Sequence, residues 1–317
     1  MIVDLLLIAG GFALLFIGAD RLIAGAVRLS LRSGISPLII GLTIVAFGTS
    51  TPELFVSLRA NLTGSGDIAM GNIIGSNIFN LAVILGISAL IQPINVKSQL
   101  IQQDIPVMIG ATLLFFAMAR NLTIERWEGG VLFTLLVAYI LLNVRLARRH
   151  AEPELSEEFE HHMPKAPGTL PADIFWMTLG IGLLVAGSNL LVAGAVSLAE
   201  AAGVSKALIG LTLVAAGTGL PELATSIVAA IKKESDLAVG NIVGSNIFNI
   251  LCIAGLSPLV KAISFPDIEI MDLAVLAILS ILLLPISWTG MRLGRREGVL
   301  FLASYAAYLY YIWPHAR

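Results

Sequence analysis

The stretch GLTIVAFGTSTPEL at residues 41–54 returns as GLTLVAAGTGLPEL at 210–223, and DIAMGNIIGSNIFN at 67–80 returns as DLAVGNIVGSNIFN at 236–249. A single offset of 169 residues relates both pairs without a gap, and 41–90 against 210–259 gives 27 identities in 50 positions. The offset reaches back to AGAV at 24–27 and 193–196. Agreement of this length at a fixed spacing marks a duplication, so the fold is one unit used twice.

The sequence around the repeats is apolar. Of 317 residues, 57% are hydrophobic and 13% charged, and the mean hydropathy is +0.92. A soluble domain of this size needs more polar residues to cover its surface. A helical span needs about 20 apolar residues at a rise of about 1.5 Å each. On that measure ten spans are expected, near 2–28, 36–60, 67–92, 101–120, 126–147, 172–198, 207–231, 236–261, 268–287 and 295–313. The apolar N-terminus lacks a basic leading region and a small-residue cleavage site, and is read as the first span.

The expected fold class is therefore an all-α polytopic membrane protein with ten transmembrane helices. A first five-helix repeat covers 1–147 (motif 41–90), a polar linker 148–171, and a second five-helix repeat 172–317 (motif 210–259). Five spans per half is an odd number, so the second copy enters the membrane from the opposite side. Inverted repeats of this kind are characteristic of secondary transporters, which place their substrate sites near the midplane between the repeats. Twelve Lys and Arg fall on the side that holds the linker and six on the other. By the positive-inside rule the linker is cytoplasmic and both termini are extracytoplasmic, with the cell membrane as the location.

Within the repeats, polar residues stand where lipid-facing segments have none. Pro52 removes a backbone donor and clashes with the preceding turn, and Gly48 weakens the helix further, so a break is expected that frees carbonyls such as that of Ala46. Such carbonyls are tolerated at membrane depth only where they line a cavity or are buried in protein. Glu53, repeated as Glu222, is ionisable at mid-span, which is costly and marks a functional site by default. The alternative for such a Glu is a structural pairing with Arg21 or Arg59, or a neutral helix contact. Thr49 and Glu53 lie four residues apart and share a helix face, as do Thr218 and Glu222, Ser76 and Asn80, and Ser245 and Asn249. Two carboxylates among neutral oxygens suit one divalent cation or a few monovalent ones. Asn72, Asn77, Asn241 and Asn246 either bind ions or bridge helices, with bridging favoured. Asp67 and Asp236 are expected N-caps, and Tyr308, Tyr310, Tyr311 and Trp313 an interfacial belt.

G-T-S-x-P-E and G-S-N-x-x-N, each paired across the two halves, resemble the α-repeats of the sodium/calcium exchanger family, of the prokaryotic type. The resemblance covers the chain in outline and is specific over 41–90 and 210–259. It implies Ca²⁺/Na⁺ antiport by alternating access, with spans 1 and 6 sliding against the rest. Carried over, the cation ligands fall on Thr49, Ser50, Glu53, Ser76 and Asn80, and on Thr218, Glu222, Ser245 and Asn249, with backbone oxygens at Ala46 and Ala215. Glu53 and Glu222 are the shared Ca²⁺ and Na⁺ ligands. Two departures stand out. Gly219 occupies the place that matches Ser50, which removes a hydroxyl from one Na⁺ position. Asn249 replaces the Asp that potassium-dependent members carry. The proton/calcium branch has a Glu where this chain has Gly75 and Gly244, which disfavours H⁺ coupling.

Other classes fit poorly. His150, His161, His162 and His315 lie outside the expected spans, so an intramembrane Ser–His hydrolase has no base at depth, and no H-E-x-x-H zinc motif occurs. Enzymatic activity is not expected. A cation channel needs weak multi-site binding along a pore, which paired carboxylates in inverted repeats fit less well than occlusion. The net charge of −2 argues against nucleic-acid binding, and the single Cys252 excludes an internal disulfide. The partners expected are Ca²⁺, Na⁺ and the lipid bilayer. No resident cofactor and no obligate protein partner is inferred.

Overall fold

The structure is a computed structural model that describes residues 2–149, 169–202 and 215–312. Most of the 148–171 linker, all four histidines and the start of the expected seventh span lie outside the described residues.

The described chain is almost wholly helical. Helix α1 covers Ile2–Ser33. Helices α2 (Pro37–Thr49) and α3 (Thr51–Leu62) meet at a bend of 46°. Helices α4 (Gly66–Ile91) and α5 (Leu100–Ala119) follow, then α6 (Arg126–Arg149) and α7 (Leu170–Ala201). Helices α8 (Ala215–Thr218) and α9 (Leu220–Ile231) are again separated by one residue, Gly219. Helices α10 (Ser235–Val260), α11 (Ile270–Trp288) and α12 (Arg295–Ile312) complete the chain. Among the described residues seven helices are long and apolar enough to cross a membrane, or eight if the bent pair α2/α3 is one span. Helix α12 coincides with the expected tenth span without meeting that apolar measure.

Large apolar side chains stand exposed along the outer faces: Phe12 and Phe16 on α1, Leu141 and Leu142 on α6, Ile278 and Ile281 on α11. In water such continuous apolar surface drives association, whereas a bilayer solvates it. The repeat helices lie inside. The most apolar window of α10 is 100% buried and that of α4 78%, against 22% for α1. The polar motifs of 67–80 and 236–249 are therefore shielded from lipid by protein, as the backbone and amide groups they carry require.

Two departures from an all-α fold are small. Strand β1 (Ile94–Asn95) pairs antiparallel with β4 (Arg292–Leu293), and β2 (Thr123–Ile124) with β3 (Ile263–Ser264). The offset of 169 carries β1 onto β3 and β2 onto β4. Each ribbon thus joins one half to the other, and the 94↔293 register maps onto 263↔124.

Helices α1 and α7 pack by the same rule. A Cβ on Gly11 would lie 2.8 Å from the Gly187 carbonyl oxygen, and one on Gly18 would lie 2.8 Å from that of Gly180. Gly11 and Gly180 are equivalent by the offset, as are Gly18 and Gly187. The pairing runs up one helix and down the other, so α1 and α7 lie antiparallel, with backbones close enough that only glycine fits at the crossings. At one end Arg28 and Arg32 hold the buried Asp173 carboxylate at 2.6 and 3.2 Å. Lys232 at the end of α9 reaches Asp20 of α1 at 2.5 Å.

Asp67 and Asp236 are not N-caps. Each sits inside the first turn of its helix and reaches the opposite half, Asp67 accepting from the Asp267 N–H at 2.9 Å and Asp236 pairing with Lys97 at 2.6 Å.

Candidate cation site

The helix breaks where Pro52 predicts, and again just before Pro221. Ser50 and Gly219, at the two breaks, share one backbone conformation, φ −84°, ψ 6° and φ −83°, ψ 0°. The freed carbonyl is not that of Ala46, however. The Ala46 oxygen accepts the Ser50 N–H at 3.0 Å, and the Thr49 hydroxyl lies 3.3 Å from it. An α-helical bond runs four residues back, so the donor that Pro52 lacks is the one owed to Gly48. Ala46 keeps at most one spare lone pair. Ala215, the first described residue of α8, stands at the corresponding place.

Glu53 and Glu222 each sit in the first turn after a break, 1% exposed. They face one another closely enough for mutual repulsion. Their partners come from the opposite half. The Ser50 hydroxyl donates to Glu222 Oε1 at 2.7 Å, Thr49 is within reach of the same carboxylate, and Thr218 is within reach of Glu53. Among the described residues no donor reaches the other oxygen, the buried Oε2, of either glutamate. Neither meets an arginine: the Arg21 guanidinium lies over the Trp176 ring at 5.0 Å, and Arg59 is exposed.

The second motif joins the halves too. Asn249 Nδ2 donates to Ser76 Oγ at 3.1 Å. The Oδ1 atoms of Asn80 and Asn249, and the Ser245 hydroxyl, are buried without a hydrogen-bond partner among the described residues. The structure thus ties Thr49, Ser50, Glu53, Thr218 and Glu222 into one cluster and Ser76 to Asn249, and leaves Asn80 and Ser245 buried with unused oxygens. In a low-dielectric interior an orphaned oxygen is costly. Five such atoms on the expected ligand residues, with the Oδ1 atoms of Asn77 and Asn246 beside them on the same motifs, form a set of hard acceptors lacking a positive partner. Among the described residues no group of three or more His, Cys, Asp or Glu that could hold a metal ion occurs. The cluster's charge is therefore that of its two carboxylates, and its remaining donors of oxygen are neutral.

Several features of this region escaped the sequence reading. α4 and α10 each contain a π-helical turn, Asn80–Ile84 and Asn249–Ile253, that begins at the asparagine of the motif. Such turns recur at functional sites because they re-aim one side chain without ending the helix. Asn72 and Asn241 do bridge, but Asn77 and Asn246 donate back into their own helices, to Ile73 and Ile242. Tyr308 is more than part of a belt. It donates to Asp272 at 2.9 Å, and Tyr139 donates to the buried Asp104 at 2.9 Å. The two tyrosines stand 169 residues apart, which was the available signal. Trp313 lies outside the described residues.

The site is not symmetric. A Cβ on Gly219 would come within 3.0 Å of the Phe79 ring. In the first half the equivalent ring, Phe248, packs edge-on against Phe47 at 5.1 Å. The place of Phe47 is taken by Ala216 in the second half.

A family model described as "Sodium/calcium exchanger protein" matches residues 3–145 and 173–313. The chain is 40% identical to the "Putative antiporter CaxA" of Alkalimonas amylolytica, over 99% of both chains. It is 30% identical to the "Sodium/calcium exchanger MaX1" of Methanosarcina acetivorans, over 97% of both. Among solved structures, the sodium-calcium exchanger NCX_Mj soaked with Na⁺ and Sr²⁺ superposes with a TM-score of 0.84 at 31% identity, covering 96% of this chain and 97% of that one.

Proposed function

The chain belongs to the sodium/calcium exchanger family, and on that premise we propose that it exchanges Ca²⁺ for Na⁺ across the cell membrane by alternating access. The reading rests on one observation above the others. Two buried carboxylates from opposite halves, Glu53 and Glu222, lie close enough to interact electrostatically, with an unpartnered oxygen on each. The cations are cargo. Their ligands in this proposal are Thr49, Ser50, Glu53, Ser76, Asn80, Thr218, Glu222, Ser245 and Asn249, with backbone oxygens of Ala46 and Ala215.

Charge supplies the coupling. A cluster of −2 buried in the membrane core is neutralised by one Ca²⁺, or in large part by Na⁺ ions. Without cargo, two uncompensated carboxylates would have to be occluded, at a cost of several kcal/mol each. The empty site therefore resists crossing, and loaded states move, which makes transport an exchange instead of a leak. Na⁺ is proposed over H⁺ because the flanking ligands are hydroxyls and amides, and Gly75 and Gly244 put no further carboxylate beside the pair. An H⁺/Ca²⁺ antiporter is the second reading.

The architecture proposed for this mechanism is ten spans in two inverted five-helix repeats, 1–147 and 172–317, joined by a cytoplasmic linker, with both termini extracytoplasmic. The antiparallel glycine pairing of α1 with α7 and the exchange symmetry of the β-ribbons support the inversion. Radiolabelled Ca²⁺ binding to the purified protein tests the site. Saturable binding displaced by Na⁺ supports it, and binding that Na⁺ leaves untouched refutes it.

A further inference from the structure

A hydroxyl that ligates a cation must turn a lone pair toward it, so its single proton needs another acceptor. Around the carboxylate cluster that acceptor is built twice, from residues outside the proposed ligand set. Thr49 Oγ1 donates to Asn241 Oδ1 at 3.1 Å, and Thr218 Oγ1 donates to Asn72 Oδ1 at 3.4 Å. Each asparagine belongs to the half opposite its threonine.

The amides are themselves held in one orientation. The Ser57 hydroxyl gives its proton to the Ala69 carbonyl at 3.3 Å, so toward Asn72 it can only accept. Asn72 Nδ2 donates to it at 2.9 Å and also reaches the Glu53 carbonyl at 3.2 Å. The Asn72 oxygen is thereby turned to Thr218. In the second half Asn241 Nδ2 donates to Ser226 Oγ at 3.1 Å, which turns the Asn241 oxygen to Thr49. The offset of 169 carries Ser57, Asn72 and Thr49 onto Ser226, Asn241 and Thr218, so one device appears in both halves. Asn241, Ser226 and Ser57 are fully buried, and Asn72 is half-buried.

We propose that Asn241 and Asn72 are positioning residues: each draws the hydroxyl proton of a threonine from the opposite half, so that the oxygens of Thr49 and Thr218 face the cation as acceptors. The proposal rests on the cation-site reading above. Without the asparagine, the Thr49 proton has the Ala46 carbonyl at 3.3 Å and the Glu222 carboxylate within reach, and Thr218 has the Glu53 carboxylate. A proton redirected to any of these would occupy a lone pair of an oxygen in the proposed ligand set. In this proposal Asn241 acts on the cation through its threonine, so its loss should matter only while the threonine hydroxyl is present; Asn72 also holds the Glu53 carbonyl, so its cycle should couple with a residual loss of its own.

The experiment is a double-mutant cycle on Ca²⁺ affinity, read from radiolabelled Ca²⁺ binding to purified protein. The variants are Asn241→Leu, Thr49→Val and the pair together, with Asn72→Leu and Thr218→Val as the matching cycle in the other half. Asn241→Leu is expected to weaken Ca²⁺ binding roughly tenfold, the scale of one hydrogen bond to a charged centre. The double variant is expected to bind within about twofold of Thr49→Val alone. Ser226→Ala, which removes only the anchor of the amide, is a gentler variant should Asn241→Leu fail to fold, and its smaller loss should likewise vanish beside Thr49→Val. Losses that multiply in both cycles overturn the proposal while leaving the cation site standing. Wild-type protein that binds no Ca²⁺ overturns the site reading and the proposal together.

Discussion

Glu222→Gln replaces one oxygen by an NH₂ group and keeps the side chain's shape, so the protein should still fold while its cation site loses half its charge. Gln retains an oxygen to accept the Ser50 proton now donated at 2.7 Å. What changes is Oε2, the buried oxygen without a donor, which becomes a pair of N–H donors pointed at the cargo. The magnitude follows from Coulomb's law. A carboxylate whose charge centre lies about 3 Å from the cation, at an effective dielectric constant of about 20, contributes about 11 kcal/mol for a divalent ion and about half that for a monovalent one. If the amide dipole and the lower desolvation of a neutral side chain offset two thirds of this, about 4 kcal/mol remains for Ca²⁺ and about 2 for Na⁺, or about 10³-fold and about 30-fold in affinity. The difference between the ions is the informative part. Radiolabelled Ca²⁺ binding, with Na⁺ displacement measured on the same preparation, reads both. Ca²⁺ affinity should fall far more than Na⁺ affinity, and Glu53→Gln should do the same. Ca²⁺ affinity within about threefold of wild type, or equal losses for the two ions, would refute the charge argument, given how large the calculated asymmetry is.

Three further outcomes follow from the packing. Gly219→Ser puts a Cβ 3.0 Å from the Phe79 ring, so it should lower thermal stability in detergent by about 1–2 kcal/mol. Adding Phe79→Leu should recover that loss and tighten the Na⁺ dependence, and an unchanged Na⁺ titration in the double variant would count against the lost-hydroxyl account. Gly18→Val directs a side chain at the Gly180 carbonyl 2.8 Å away, whereas Gly10 of the same helix has nothing within 4 Å; size-exclusion profiles should show Gly18→Val misfolded or markedly destabilised and Gly10→Val close to wild type. Asn61→Leu removes the donor that the buried Asn61 gives to the Ser257 and Lys261 carbonyls at 2.8 and 2.6 Å, and a thermal melt should show a loss of about 1–3 kcal/mol.

The duplication, the boundaries of most spans and the pairing of Glu53 with Glu222 were legible because they depend on hydropathy and on residue identity at one offset. The break before Pro52 was legible because proline has no N–H to give. Which carbonyl each proline deprives was misread at Ala46, since the answer depends on counting the helical bond from the proline and not from the glycine. Asp67 and Asp236 looked like caps from their place at helix starts, but a tertiary partner, Lys97 or the Asp267 backbone, outcompeted the local bond. The π-helical turns at Asn80 and Asn249 carry no composition signal, as the residues within them are ordinary helix formers in an apolar run. The hydroxyl–amide relays through Asn72 and Asn241 were half visible. Their residues repeat at the offset, but only the packed structure puts each asparagine against the threonine of the other half.

The central claim is that buried paired charge forces exchange, and the most direct measurement is radiolabelled Ca²⁺ uptake into proteoliposomes under imposed Na⁺, K⁺ or pH gradients. The account predicts that an outward Na⁺ gradient drives Ca²⁺ accumulation above equilibrium, and that K⁺ or pH gradients alone do not. Ca²⁺ entry at the same rate whatever the counter-ion gradient would contradict exchange altogether, and accumulation driven by pH in Na⁺-free medium would contradict the choice of Na⁺.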